Sequence, residues 1–205
     1  MSEEKKHDGL SRRSFLKGVG GGVVGTAVLT SSRRTSAAEQ YGDVVGPDAV
    51  EITLNVNGQK RTLTVDPRVT LLDALRDQLS LTGSKRVCNK GQCGACTLIC
   101  NGRTVLACSM LAIDADGADV ETIEGLKTGD QLHPVQEEFI KNDALQCGFC
   151  TPGFIMSSVA LLRKNPSPSM EEIKYAVSGN LCRCGTYPHV FKAVHDAAQA
   201  MKKGG

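Results

Sequence analysis

Alternating apolar and polar residues between positions 51 and 106 predict two pairs of short strands. Residues Glu51–Val56 and Arg61–Val65 alternate with a period of two, and an Asn-Gly pair lies between them. The same pattern recurs in Thr97–Cys100 and Arg103–Leu106, again around Asn-Gly. Because Asn and Gly readily adopt the positive φ of a tight two-residue turn, each pair is predicted to form an antiparallel hairpin.

A helix and one further strand complete this part of the chain. Thr70 followed by Asp73 is typical of a helix start, and the leucines around it recur on one helical face. These leucines are Leu71, Leu72, Leu75 and Leu79. Another strand is predicted near Val120–Ile123. The order strand, strand, helix, cysteine-rich loop, hairpin and strand predicts a β-grasp, the plant-ferredoxin-like sheet with one helix laid across it.

After residue 126 the pattern changes to four predicted helices. Pro134, Pro152 and Pro188 each stand where a first helical residue would. Ser169 and Glu172 form a capping box at the start of the remaining helix. The predicted fold class is therefore α+β, with a β-grasp domain over residues 49–126 followed by a four-helix-bundle domain over residues 127–205.

The composition of two of these helices predicts how they pack. The helix over Pro152–Arg163 is apolar nearly all round, which is typical of the buried member of a bundle. The helix over Pro188–Met201 carries a single apolar stripe instead. This stripe consists of Val190, Phe191, Val194, Ala198 and Met201.

The first 38 residues indicate where the protein is located. Ser11–Lys17 reads Ser-Arg-Arg-Ser-Phe-Leu-Lys, which resembles a twin-arginine export motif, and a weakly apolar run follows over Gly18–Leu29. Ser36-Ala37-Ala38 has the small residues of a cleavage site. The apolar run is too short and too rich in glycine to span a bilayer. We therefore expect residues 1–38 to be a signal peptide, residues 39–48 a linker, and the protein to be exported folded to the periplasm.

Removing this segment also changes the charge of the chain. The full sequence has a formal net charge of +2, but its first 38 residues carry seven Lys and Arg against three Asp and Glu. The remainder has 17 basic and 19 acidic residues, which gives a charge of about −2. Binding of nucleic acid, which requires a clustered basic surface, is not indicated.

Eight of the nine cysteines fall into two groups of four. The first group has the spacing C-x4-C-x2-C-x11-C and consists of Cys88, Cys93, Cys96 and Cys108. The second has the spacing C-x2-C-x31-C-x-C and consists of Cys147, Cys150, Cys182 and Cys184. The start of the first group matches the plant-type [2Fe-2S] loop, and a C-x-C pair is too close for an unstrained disulfide. The two groups therefore predict the ligands of two iron–sulfur clusters.

The cysteine spacing also allows other uses. Structural zinc is the main alternative, although zinc sites more commonly pair two C-x-x-C hooks. A thioredoxin-like role for Cys147 and Cys150 would need a preceding strand, and a helix is predicted there. Gly91 and Gly94 are predicted to adopt left-handed torsions that let the loop wrap a cluster. Cys100, the ninth cysteine, is predicted to be a buried small apolar residue, and no catalytic nucleophile arrangement is found.

Three motifs give the chain a specific resemblance to a known family. Residues Cys88–Thr97, Gln146–Gly153 and Gly179–Tyr187 read CNKGQCGACT, QCGFCTPG and GNLCRCGTY. Together they resemble the small iron–sulfur subunit of molybdenum hydroxylases, a family that includes xanthine dehydrogenase, aldehyde oxidoreductases, carbon monoxide dehydrogenase and isoquinoline oxidoreductase. The resemblance extends from about Val50 to Ala200. With its export signal, the chain is most similar to periplasmic aldehyde oxidoreductase small subunits.

The resemblance implies an electron-transfer subunit of an oxidoreductase. A partner large subunit would hold the molybdenum pyranopterin and oxidise an aldehyde to a carboxylic acid. The second cysteine group would lie nearest that cofactor, because Gln146 and Cys184 match the family's pterin-contacting positions. The first group would pass electrons on to an FAD-containing medium subunit or to a cytochrome.

Two features of the first cysteine loop lead to further expectations. The family usually has glycine before the first ligand, where this chain has Val87, so strain is expected if that position needs a positive φ. Nearby basic residues are expected to offset the negative charge of a cluster. These are Lys85, Arg86, Lys90 and Arg103.

The sequence also fits two other functions. A flavin-free heterodimer that oxidises an N-heterocycle, of the isoquinoline type, and delivers electrons to a cytochrome would use a similar chain. A freestanding ferredoxin-type carrier would need no partner at all. The presence of a flavin subunit, or of a molybdenum partner, distinguishes these alternatives.

Overall fold

The structure is a computed structural model, and it describes residues 47–203 together with Arg13. The predicted cleavage site, the apolar run and nearly all of the linker lie outside the described residues, as does the twin-arginine motif apart from that one arginine. In the part of the chain that is described, no helix has both the length and the apolar composition needed to cross a membrane.

Five strands form one mixed sheet in the first half of the described chain. They are β1 (Val50–Val56), β2 (Gln59–Val65), β3 (Thr97–Cys100), β4 (Arg103–Leu106) and β5 (Asp119–Glu121). The order across the sheet is β2-β1-β5-β3-β4, in which β1 and β5 are parallel and the other neighbours antiparallel. Both predicted hairpins are confirmed. The final strand ends two residues earlier than predicted because a 3-10 turn over Ile123–Gly125 follows it.

The predicted helix of the β-grasp is present, with a change of type along its length. Helix α1 (Leu71–Asp73) continues as a π-helix over Ala74–Gln78. Thr70 caps its start by accepting a hydrogen bond from the Asp73 amide at 3.2 Å. The numbers of residues per turn of an α-helix and a π-helix differ by only about one. The apolar positions of so short a helix therefore could not show which type it forms.

The leucines of this helix form the centre of the first core. Leu71, Leu72 and Leu75 are fully buried against the sheet, where they pack with Leu54 and Leu98 among other apolar residues. The hydrophobic effect therefore fixes the helix across one face of the sheet. The β-grasp prediction is confirmed.

Four helices form the second half: α2 (Pro134–Lys141), α3 (Thr151–Lys164), α4 (Met170–Ala176) and α5 (Tyr187–Lys203). The capping box of α4 is formed as predicted, with the Ser169 amide 2.7 Å from the Glu172 carboxylate and the Glu172 amide 3.3 Å from the Ser169 hydroxyl. Pro134 is the first residue of α2. Helices α3 and α5 each begin one residue before the predicted proline.

Helix α3 is the buried member of this bundle, as predicted. Its residues from 153 to 160 are all buried, and Phe154 and Met156 are completely enclosed. The apolar stripe of α5 is buried at Val190 and Val194, but Met201 is 36% exposed. Met201 instead lines a shallow depression near the end of the helix, so the predicted stripe runs one turn too far.

The two halves pack directly on each other. Ile99 of strand β3 belongs to the core of the helical half. At the edge of this contact, the Arg163 guanidinium donates two hydrogen bonds of 2.6 Å to the Glu121 carboxylate. Helix α1 therefore covers one face of the sheet, and helix α3 covers the other face at strands β3 and β4.

Candidate metal centres

The first cysteine group is brought together by the loop before β3 and the 3-10 turn after β4. The side chain of Cys88 contacts that of Cys93, and the side chain of Cys96 contacts that of Cys108. Cys93 and Cys96 also interact electrostatically. All four thiols of the predicted group therefore lie at one place.

Backbone amides of the same loop point at these sulfur atoms. The Lys90 amide donates to the Cys88 sulfur at 3.4 Å, and the Gly91 amide donates to the Cys108 sulfur at 3.3 Å. Gly91 has φ +68°, as predicted, and a β-carbon there would lie 2.6 Å from the Ser109 hydroxyl oxygen. The loop can therefore bring its main chain close to the sulfurs, because a residue without a side chain stands at the tightest position.

The thiols of this group differ in how readily they ionise. The backbone amide of Gln92, with those of Lys90 and Cys93, lowers the pKa of Cys88 to about 6. Burial raises the pKa of Cys96 to about 12. Since only a thiolate binds metal, binding at this site must displace the proton of Cys96.

The second group is assembled from the loop before α3 and the loop before α5. The sulfur atoms of Cys147 and Cys184 are 3.5 Å apart, and the side chain of Cys150 contacts that of Cys182. The two members of the C-x-C pair thus face different partners, which explains a spacing that suits neither a disulfide nor a zinc hook. All four predicted thiols again lie at one place.

Hydrogen bonds hold the buried member of this second group in position. The Thr186 hydroxyl lies 3.1 Å from the Cys182 sulfur, and the Thr186 amide donates to the same sulfur at 3.5 Å. The Cys182 amide donates to the Tyr187 hydroxyl oxygen at 2.8 Å. Burial opposes ionisation of Cys182, but hydrogen bonds from Thr186, with those of Cys150 and the Gly185 amide, outweigh it and lower the pKa to about 7. Burial raises the pKa of Cys150 to about 12.

The two groups differ in their access to solvent. In the first group Cys96 and Cys108 are buried and the other two are half-buried. In the second group Cys147 and Cys184 are exposed, as is the neighbouring Gln146. Large apolar side chains are also exposed around this group: Leu145, Phe149 and Leu181. The second group therefore lies at the surface, within an apolar rim that the sequence did not predict.

Several smaller predictions are also decided by the structure. Cys100 is 5% exposed within the core of the β-grasp, as predicted, and burial raises its pKa. His133 caps α2 by accepting from the Val135 amide at 3.2 Å. Val87 is exposed and is not among the described residues with positive φ, so valine causes no strain there. Arg86 is bound by the carboxylates of two aspartates, which offset the charge it was expected to supply.

The donor set at both places fits an iron–sulfur cluster. Each offers four thiols, and backbone amides donate to the sulfurs, an arrangement that stabilises an anionic cluster. Within residues 47–203, no group of three or more His, Cys, Asp and Glu side chains is arranged to hold a single metal ion.

The sequence did not predict that Thr186 and Tyr187 contact Cys182. They lie inside the GNLCRCGTY motif, but nothing in their spacing indicated contact with Cys182. Their role depends on the turn that precedes α5, which returns the hydroxyl and amide of Thr186 to a sulfur four residues earlier.

Comparison with known proteins agrees with this geometry. A family described as a 2Fe-2S iron-sulfur cluster binding domain matches residues 54–122, and one described as a [2Fe-2S] binding domain matches residues 122–195. The aldehyde oxidoreductase iron-sulfur-binding subunit PaoA of Escherichia coli strain K12 is 42% identical, over 98% of this chain and 94% of its own length. The nicotine 6-hydroxylase small subunit of Paenarthrobacter nicotinovorans is 51% identical, over 73% of this chain and 90% of its own length.

A solved structure gives the same result. Quinoline 2-oxidoreductase from Pseudomonas putida 86 matches with a TM-score of 0.74 and 41% identity, over 77% of this chain and 98% of the matched chain. The two family matches together cover residues 54–195, which contain all eight cysteines of the two groups. The chain is therefore a member of the family of [2Fe-2S] iron–sulfur subunits of molybdenum hydroxylases, and so a subunit of an oxidoreductase.

Proposed function

We propose that this chain carries electrons, one at a time, within an exported molybdenum hydroxylase that oxidises aldehydes. Each cysteine group binds one [2Fe-2S] cluster, which supplies reversible one-electron chemistry when bound. Electrons enter at the second group, pass to the first, and leave to an FAD subunit or a cytochrome. The molybdenum cofactor, with the substrate, belongs to a large partner subunit.

The observation that carries this proposal is the exposed apolar rim around the second group. Leu145, Phe149 and Leu181 are 40%, 57% and 55% exposed. Large apolar side chains clustered on a surface mark a site where a partner binds. The thiols of Cys147 and Cys184 lie within this rim, so a partner that covers it would meet the cluster directly. Gln146 and Cys184 are the residues proposed to contact the pterin.

The first group suits the opposite end of the route. Its buried members, Cys96 and Cys108, are packed in the β-grasp core, while Cys88 and Cys93 face the loop surface. A cluster held there is separated from the proposed molybdenum side by the second group, so it is the one placed to pass electrons to the next carrier.

The share of this chain that each relative covers favours an exported aldehyde oxidoreductase. The similarity to the E. coli aldehyde oxidoreductase subunit covers 98% of this chain, including most of the segment that contains the twin-arginine motif. The match to the nicotine 6-hydroxylase small subunit covers 73%. Oxidation of an N-heterocycle is the second candidate function, because the identity to that subunit is higher, at 51%.

The decisive experiment compares Cys182→Ser with Cys100→Ala in the complex purified from its native host. The unaltered chain should contain about four irons and give two distinct EPR signals after reduction. Cys182→Ser should lose about half of the iron and stop turnover with electron acceptors, whereas Cys100→Ala should keep both. Undiminished iron and turnover in Cys182→Ser would refute the proposed ligand and route.

The same preparation tests the finer parts of the proposal. Flavin that co-purifies with the complex supports an FAD subunit, and its absence supports delivery to a cytochrome. Turnover of aromatic aldehydes but not of nicotine-like heterocycles supports the first candidate function, and the reverse supports the second. Replacing Arg12 and Arg13 by Lys should hold the protein in the cytoplasm if the export signal is correctly identified.

A further inference from the structure

The buried side-chain amide of Asn180 joins the two halves of the protein near the cysteine groups. Asn180 is 3% exposed, and its side chain accepts a hydrogen bond of 2.8 Å from the Ser157 hydroxyl. Its amide nitrogen donates to the Gly94 carbonyl at 2.9 Å and to the Thr97 hydroxyl oxygen at 3.3 Å. The side chain therefore links helix α3 to the loop that carries the first group.

The residue after Asn180 makes a second link, and this one connects the cluster ligands themselves. The Leu181 amide donates to the Cys93 carbonyl at 2.9 Å. Cys93 belongs to the first group, and Leu181 directly precedes Cys182 of the second. The backbone of these neighbouring residues and one hydrogen bond thus form a continuous connection between the two groups.

Two glycines allow the halves to come this close. A β-carbon at Gly153 would lie 2.1 Å from the Gly94 carbonyl oxygen. A β-carbon at Gly94 would lie 2.5 Å from the Gly179 carbonyl oxygen and 2.6 Å from the Asn180 amide nitrogen. The closest approach of the two halves therefore coincides with the hydrogen bonds of Asn180.

We propose that Asn180 is a positioning residue for electron transfer between the two clusters, because it holds the Leu181 amide against the Cys93 carbonyl. This inference rests on the proposed function, since it requires a cluster at each group. With a cluster bound at each group, one electron would pass from the reduced second group to the oxidised first group, and no proton or atom would move with it.

The physical reason is the steep dependence of electron tunnelling on the gap that must be crossed. The hydrogen bond between the Leu181 amide and the Cys93 carbonyl spans only 2.9 Å. Electron tunnelling is faster across such a bond than across a wider gap filled by solvent or loosely packed atoms. Asn180 satisfies its own buried polar atoms only when the loop of Gly94 is in place, so the residue ties that loop to the turn before Cys182. The Asn180 side chain therefore holds the two groups at a fixed separation.

The test uses Asn180→Asp in the purified complex, with Asn101→Asp as the matched control. Asp keeps the acceptor for Ser157 but replaces the amide donor by a carboxylate oxygen that faces the Gly94 carbonyl, so the link to the first loop is lost. Asn101 lies exposed in the β3–β4 turn, where its oxygen accepts from the Asp119 amide at 2.8 Å, a contact that Asp retains. Both variants make the same chemical change.

Four readouts separate a positioning role from a purely structural one. Asn180→Asp should retain the iron content of the unaltered chain, exchange the amide hydrogen of Leu181 about tenfold faster, and weaken the magnetic interaction between the two reduced clusters in EPR. Transfer of an electron between the clusters after rapid reduction should slow by about tenfold. Asn101→Asp should match the unaltered chain in every measurement. Unchanged exchange at Leu181, or unchanged EPR interaction, overturns the proposal.

A milder variant decides the question if Asn180→Asp does not fold or does not bind iron. Ser157→Ala leaves Asn180 in place but removes the hydroxyl that orients its amide. It should raise the exchange rate of Leu181 and slow transfer by a smaller factor, and the absence of both effects overturns the proposal. Failure of the premise that each group binds a cluster looks different, because the unaltered chain would then lack iron and give no EPR signal.

Discussion

Replacing Gly153 by alanine should destabilise the protein even though alanine is the better helix former. Gly153 lies in the first turn of helix α3 and is buried at the contact between the two halves. The new methyl carbon would lie 2.1 Å from the Gly94 carbonyl oxygen, 3.1 Å from its carbonyl carbon and 3.0 Å from the Asn180 amide nitrogen. Two of these three are backbone atoms, which cannot turn aside as a flexible side chain would.

The size of the effect follows from these distances. An ordinary contact begins at 3.4 Å, so the carbonyl oxygen must move by about 1.3 Å. Forcing a methyl group into a packed site costs about 1–3 kcal/mol, and loss of the buried hydrogen bond between Asn180 and Gly94 costs about 1–3 kcal/mol more. Alanine recovers about 1 kcal/mol of helix propensity. The expected net loss of about 3 kcal/mol would lower the Tm by about 10 °C for a chain of this size.

The assay is thermal unfolding followed by circular dichroism, with Gly179→Ala as the matched control. Gly179 is the neighbour of Asn180, its φ lies outside the left-handed region, and a β-carbon there meets no atom within 4 Å. Gly179→Ala should therefore leave the Tm unchanged or raise it slightly, because alanine lowers the entropy of the unfolded chain. A Gly153→Ala variant as stable as the unaltered chain would refute the close approach of the two halves.

Two further predictions concern single interactions away from the cysteine groups. Ser169→Ala should lower the free energy of unfolding by about 1 kcal/mol, because the Ser169 hydroxyl accepts from the Glu172 amide at the start of α4; chemical denaturation measures this, and an unchanged midpoint would contradict it. Glu121→Gln should cost less than about 1 kcal/mol and lose most of its effect at high salt, since its partner Arg163 is 48% exposed. A large effect that persists at high salt would contradict that estimate.

The hydrophobic pattern predicted the elements because local spacing decides them. The alternation around two Asn-Gly turns fixed both hairpins, and Asn57, Gly58, Asn101 and Gly102 all adopt the positive φ that such turns require. The change from an α-helix to a π-helix after Asp73 escaped prediction because both types place the same leucines against the sheet. Met201 was placed in the stripe by periodicity alone, which cannot show where the neighbouring helices end.

The cysteine groups were predictable for a different reason. Cysteines that are closely spaced in one loop can place their thiols near each other. In each case the structure brings together the same four residues that the spacing indicated. The sequence could not show which thiols pair, because Cys182 and Cys184 are adjacent in the motif yet contact Cys150 and Cys147 respectively. It also could not show the apolar rim, since an exposed leucine and a buried one look alike in a sequence.

The contacts that join the two halves could not be predicted from the sequence. A glycine inside an apolar helix is unfavourable by about 1 kcal/mol relative to alanine, so Gly153 already indicates that something approaches the helix closely. Its partner cannot be read from spacing, because Asn180 and Gly94 are separated by 86 positions. Hydrophobic periodicity reports that a residue is buried but not against which segment. The relation between the two cysteine groups is therefore set by a few small or polar residues at the junction, among them Gly94, Gly153 and Asn180.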